Sequence, residues 1–184
     1  MITTWQKHHT APYVDIARKT VSNPHPSADW ARVGKSTIFD LALNANTVTF
    51  DFIENESPSE FLKNYKPTLA QELRTVRGDK AFDAIFEIMY NLPTSDEAVH
   101  DFLLVFPAIK TMTGGNPSMF AWLAPASLIV KNFNTVDEKI LFDVNFAGDI
   151  IRGTVTTGIG GMPEFEAFPN QREWIVTTDA LPEG

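Results

Sequence analysis

The sequence contains no cysteine, which excludes a disulfide framework, a thiol nucleophile and any zinc site built on cysteine. It also lacks a basic run: 15 Lys and Arg stand against 23 Asp and Glu, a formal charge of −8. Affinity for nucleic acid comes largely from clustered Lys and Arg, so this balance argues against a surface that grips phosphates. Long apolar runs are missing as well. No stretch approaches the roughly 18 residues of a membrane-spanning helix, so no membrane partner is expected. Met1 to Thr10 carries His8 and His9 where a secretory signal would be apolar.

What is present belongs to a globular chain. Of 184 residues, 43% are hydrophobic, 11% aromatic and 21% charged, outside the disordered and fibrous ranges. The length suits one ordinary domain with an arm at each end, and it needs no metal or cofactor to fold.

Period-2 patterning dominates. Thr37 to Leu43, the turn-prone Asn44-Ala45-Asn46, and Thr47 to Glu54 predict a hairpin. In its second strand Val48, Phe50 and Phe52 face the core, while Thr47, Thr49 and Asp51 form a wet face. Asn55 to Lys66 reads as a long loop carrying Phe61, Leu62 and Tyr65. Pro67 to Leu73 permits either a strand or a helix. Asp79 is a plausible N-cap, and the stripe Phe82, Ile85, Met89 and Leu92, with Phe86 beside it, predicts a helix over about 79–92 that Pro93 stops.

Phe102 to Phe106 is a continuous apolar run of the kind found in buried strands, and Met119 to Lys131 predicts a strand bent at Pro125. Lys139 to Phe146 alternates again, with Ile140, Phe142, Val144 and Phe146 opposite Leu141, Asp143 and Asn145. Ile150 to Thr156 follows, with Thr154 and Thr156 as polar positions. The sum is a mainly β chain: an antiparallel sandwich or barrel over residues 30–157 with one flanking helix, an N-terminal arm over 1–29 and a C-terminal arm over 158–184.

No catalytic motif survives inspection. Gly34-Lys35-Ser36 resembles the end of a phosphate-binding loop, but Asp29 stands where that loop needs glycine. Gly158-Ile159-Gly160-Gly161 meets Pro163 too soon for a dinucleotide fingerprint. The four histidines lack ligand spacing, and Asn55-Glu56-Ser57 matches the glycosylation sequon without a secretory signal. There is no Gly-x-Ser-x-Gly elbow. Asp143 with Asp149, or Glu54 with Glu56, are acid pairs that solvated strand faces explain better than acid–base chemistry. The expectation is a chain that is not an enzyme, with no catalytic, cofactor-binding or metal-binding residue.

One resemblance orders these pieces. Trp30-Ala31-Arg32-Val33-Gly34 precedes two strands and an acidic loop, and Tyr65-Lys66-Pro67-Thr68 leads into the next strand. Gly78-Asp79-Lys80-Ala81-Phe82 through Tyr90 forms a single helix, followed by the strand Phe102 to Phe106. Ala126-Ser127-Leu128-Ile129-Val130, Ile140 to Phe146, and Ala147-Gly148-Asp149-Ile150-Ile151-Arg152-Gly153-Thr154-Val155 close the pattern. In this order and spacing, residues 30–157 are similar to the tail tube (major tail) proteins of long-tailed bacteriophages, particularly those infecting Gram-positive bacteria. The long N-terminal arm, the Pro125 break and the C-terminal tail with Trp174 depart from that pattern.

The resemblance implies a virion structural protein whose copies form homo-hexameric rings, stacked into a hollow tube that meets other tail proteins at its ends. It would be assembled in the host cytoplasm, and double-stranded DNA would pass through it non-specifically during ejection. Thr47, Thr49, Asp51, Asp143, Asn145, Thr154 and Thr156 are then the lumen-facing candidates, on an acidic or neutral wall. Phe61, Leu62 and Tyr65 in the loop, and Trp5, Tyr13 and Trp174 in the arms, are the candidates for contacts between subunits or rings. Two other classes remain open: a monomeric β-barrel enclosing a small apolar ligand, and a β-sandwich enzyme using a carboxylate pair.

Overall fold

The structure, a computed structural model, describes residues 11–17, 27–53, 56–113, 116–157 and 161–171. Its elements are β1 (Ala11–Asp15), β2 (Trp30–Arg32), β3 (Ser36–Ala42), β4 (Ala45–Phe50), β5 (Ser59–Tyr65), β6 (Thr68–Arg74), α1 (Lys80–Asn91), a 3-10 turn (Ser95–Ala98), β7 (Val99–Thr113), β8 (Asn116–Asn134), β9 (Lys139–Phe146), β10 (Ile151–Thr157) and β11 (Pro163–Ala167). The fold is mainly β with antiparallel pairing, a sandwich flanked by one helix.

The 19-residue β8 organises it. One edge of β8 pairs with β7, with Leu103 opposite Leu123 and Phe102 opposite Ala124. Along the other edge its first part, Met119 to Leu123, pairs with β10, while Ala126 to Asn134 pairs with β9. The exchange of neighbours falls at Pro125. A proline has no N–H to give a ladder, and here the ladder changes partner, so the strand runs through the residue. The Pro125 carbonyl instead accepts from Ala147 N at 2.9 Å. The β9–β10 connection passes so close that a Cβ on Gly148 would stand 2.7 Å from the Pro125 ring.

The two parts of β8 seed two half-sheets. One runs β2–β1–β7–β8–β10–β11 and the other β8–β9–β6–β3. Between them lies the main core, with Val14, Leu69, Leu73, Phe102, Leu104, Ile140, Phe142 and Val144 fully buried. Alternation explains which residues enter it: Leu69, Gln71 and Leu73 of β6 point inward and Thr68, Ala70 and Glu72 outward. Strand β7 is buried on both faces, because Leu103 and Val105 join a second cluster with Ala11, Ala121 and Val155. This accounts for its continuous apolar run.

Strand β1 lies within the N-terminal stretch read as an arm. It pairs with β2 and β7, and its Val14 is 1% exposed. Pro67 to Leu73, open between strand and helix on composition, is strand β6. The helix starts as expected: Asp79 accepts from Phe82 N at 3.1 Å and caps it. Ala81, Phe82 and Ile85 are its buried residues. Leu92 departs from the expected stripe. It is the C-cap, in a left-handed conformation with φ 46°, and it is exposed, because Pro93 forces the chain out of the helix one residue earlier.

The predicted hairpin at Asn44-Ala45-Asn46 does not form. Strand β3 pairs with β6, and β4 pairs with β5. Asn44 adopts φ 47°, and its side chain donates to the Lys66 carbonyl and to Thr68 Oγ1, both at 3.0 Å. The chain therefore continues from β3 into β4 and returns through β5 into β6. Asparagine tolerates the left-handed region in turns and strand junctions alike, so composition does not separate the two.

Across the outer face of the β3–β6–β9 sheet, Glu72 is the tie. Its carboxylate accepts from Thr37 Oγ1 at 2.7 Å and meets Lys139 Nζ at 3.1 Å. The Thr37 hydroxyl, and then Lys139, hold its pKa below the ordinary 4.5.

Three outcomes follow for stability. Phe82→Ala should lower stability by roughly 3–5 kcal/mol in thermal or urea melts. Gly153→Ala should dislodge β11, because a Cβ there would overlap the Glu166 carbonyl and stand 2.7 Å from the Phe165 ring; a loss of roughly 1–3 kcal/mol is expected. A carboxylate with a lowered folded pKa stabilises above its unfolded value and loses that contribution as pH falls through the folded value. Glu72→Gln should therefore melt below the wild type at neutral pH, and the gap should close below about pH 4.5. A gap that stays constant into acid would remove this role from Glu72.

Candidate interaction surfaces

The β4–β5 ribbon is the first surface. It is a two-stranded sheet separate from the rest, with Val48 opposite Phe61 and Phe50 opposite Ser59. The alternation expected for β4 holds, since Val48, Phe50 and Phe52 fall on one side and Thr47, Thr49 and Asp51 on the other. The apolar side does not meet the core. Phe50, Phe52 and Phe61 are 45%, 47% and 50% exposed. They cover one another instead, with ring centroids 5.7 Å apart for Phe50–Phe52 and 5.9 Å for Phe50–Phe61. The stretch expected as a loop is strand β5, and its Phe61, Leu62 and Tyr65 are all exposed.

The outer face of β3–β6–β9 and the second part of β8 is the other surface. In one cross-strand row Asp40 lies opposite Ala70, Ala70 opposite Asp143, and Asp143 opposite Ile129. In the next, Thr68 pairs with Asn145 and Asn145 with Ser127. A register shift between Val130 and Asn132 marks a bulge at Lys131, whose ammonium meets the Asp143 carboxylate. Arg74 Nη1 donates to the Asp137 carbonyl at 2.8 Å, and Lys139 lies 4.0 Å from the Asp137 carboxylate as well as against Glu72.

The lumen-facing candidates thus divide. Asp143 and Asn145 share the outer face of the large sheet, whereas Thr47, Thr49 and Asp51 lie on the ribbon. Thr154 is a correction: it is buried, opposite Phe120 on one side and Glu166 on the other. Pairing with a strand on each side covers the small side chain, so its polarity does not place it on a wet face. Thr156 is half-buried next along β10. Tyr13 sits in β1 opposite Arg32 and Leu103, held within the single chain. Trp5 and Trp174 lie outside the described residues, as do Glu54, Asn55, His8, His9 and His25.

Glu72, Arg74, Lys131 and Lys139 were missed as surface residues. Strand β6 carried a usable signal in Glu72 and Arg74 alternating with Leu69 and Leu73, but the Lys131 bulge has no sequence signature.

A third feature is an open groove of about 840 Å³ between α1 and the start of β7. Asp83, Glu87, Asp96 and Asp101 line it against Lys80. His100 Nδ1 there lies 3.1 Å from the Asp15 carbonyl and ties β7 to β1. No group of three His, Asp or Glu among the described residues is placed to hold a metal.

No family model matches the chain, and no curated protein does. Among solved structures, a chain in the six-fold-symmetrised cryo-EM structure of the anti-feeding prophage baseplate is similar over 83% of this chain and 97% of that chain, with a TM-score of 0.44 and 9% identity.

Proposed function

We propose that this chain is a structural subunit of a phage tail tube, polymerising as stacked hexameric rings into a hollow conduit for double-stranded DNA, and that it is not an enzyme. The observation that carries the reading is the ribbon. An isolated two-stranded ribbon is marginal in water, and this one holds three half-exposed aromatic rings on one side. Such a patch is normally covered by another protein surface. Within a tube, the cover is a neighbouring subunit or ring.

The sheet supports the same reading. Among the described residues, strand β3 ends one path of the large sheet and pairs on one side only, with β6. Its other edge offers backbone groups to a strand of the next subunit. Joined edge to edge, six such sheets make a closed barrel whose wall is the outer face of β3, β6, β9 and β8. Asp143 and Asn145 are its lumen-facing residues in this reading. A monomeric barrel for a small apolar ligand is less well supported, because the groove beside α1 is open and acidic.

Replacing Phe50, Phe52 and Phe61 together by serine tests the reading. All three lie outside the core clusters, so the sandwich should still melt cooperatively, with a loss confined to the ring contacts of about 0.5–1.5 kcal/mol for each pair. Electron microscopy and light scattering should show rings or tubes for the wild type and dispersed subunits for the variant. A wild type that stays monomeric at every concentration, or a variant that assembles normally, counts against the tube.

A further inference from the structure

The outer face of the β3–β6–β9–β8 sheet is charge-balanced in a chain of net charge −8. The charged residues of β3, β6, β9 and the Ala126–Asn134 part of β8 are Asp40, Glu72 and Asp143 against Arg74, Lys131 and Lys139. None of the three cations is presented bare. Lys131 meets Asp143, Lys139 meets Glu72, and Arg74 donates to the Asp137 carbonyl. The surplus of carboxylates lies elsewhere, much of it beside α1 and the start of β7, where Asp83, Glu87, Asp96 and Asp101 face Lys80.

We infer that this face is a charge-paired track for double-stranded DNA, on which Asp143 and Glu72 keep Lys131 and Lys139 from binding phosphate. The inference rests on the tube reading for its biological setting and on the ion pairs for its chemistry. A lysine that contacts a phosphate releases a counterion and adds affinity, so every such contact must be broken as DNA advances. A lysine already held by its own carboxylate has less to gain from that exchange. The neighbouring row of Thr68, Asn145 and Ser127 is polar and uncharged, which favours a hydrated gap over adhesion. A wholly acidic wall would also repel DNA, but it would do so without lysines. Here lysines are present and paired, so removal of their partners leaves a cation without its carboxylate.

The test uses the full-length protein at concentrations below those at which light scattering detects assembly, with a labelled duplex of about 20 bp in roughly 20–200 mM salt. The triple variant Glu72→Gln, Asp137→Asn and Asp143→Asn, which removes every carboxylate beside Lys131 and Lys139, should bind the duplex more tightly than wild type at low salt. Its log–log salt slope should be steeper by about 1.8, a roughly 60-fold loss over a tenfold rise in salt. Adding Lys131→Gln and Lys139→Gln should return binding to the wild-type level. Asp143→Asn alone should give about half that increase in slope, and it keeps the test decisive if the triple variant does not fold. A folded variant with unchanged affinity and slope overturns the inference, as does a wild type that already binds with the steep slope. Assembly is scored separately by microscopy, so a chain that never forms tubes defeats the tube reading while the masking of the lysines is still decided by the duplex.

Discussion

Strand β8 is hydrogen-bonded along both edges in its middle, and at Pro125 it exchanges β10 for β9 while β7 stays on its other side as far as Ser127. The rest of the architecture depends on that shared strand. Two half-sheets that own a strand in common cannot slide past one another without breaking its ladders, so their inner faces stay opposed and enclose a single main core. The helix lies against β2 and β8 and contributes Phe82 and Ile85 to that core. Gly148 is part of the same constraint, because the β9–β10 connection passes over the proline at the point of exchange.

The same frame explains why the ribbon projects. Strands β3 and β6 complete the second half-sheet beside β9, and at Asn44 and Lys66 the two chains leave the body still paired. Beyond that point no opposing sheet lies among the described residues, so Val48, Phe50 and Phe61 have the pattern of core residues without a core. Their mutual ring contacts cover part of the apolar area and leave about half of each phenylalanine in solvent. In the tube reading, this apolar face is where a neighbouring subunit or ring packs.

Charge is distributed as unevenly as apolar surface. Asp83, Glu87, Asp96, Glu97 and Asp101 line the groove beside α1 with Lys80, whereas the outer face of the β3–β6–β9–β8 sheet balances three carboxylates with three cations. Two of those cations are held by carboxylates and the third by a carbonyl. In the tube reading, the flank and the wall therefore present different electrostatics to water and to DNA, although one net charge describes the whole chain.

Local pattern was enough for the β class, the capped helix at Asp79, the buried run Phe102 to Phe106 and the alternation of Lys139 to Phe146, because each depends on residues that are near in sequence. The wet face holding Asp143 and Asn145 was legible for the same reason. Partner choice was not. Whether Asn44 turns the chain back or passes it on depends on β6 and β5 arriving from later in the sequence, and β4 alternates identically in both cases. Likewise the burial of Thr154, the bulge that brings Lys131 to Asp143, and the meeting of Glu72 with Thr37 and Lys139 each join strands distant in the chain. Period-2 spacing determined which side of a strand each residue occupies; only tertiary pairing decided what lies on that side, because a strand's hydrogen bonds and cross-strand neighbours are supplied by other strands.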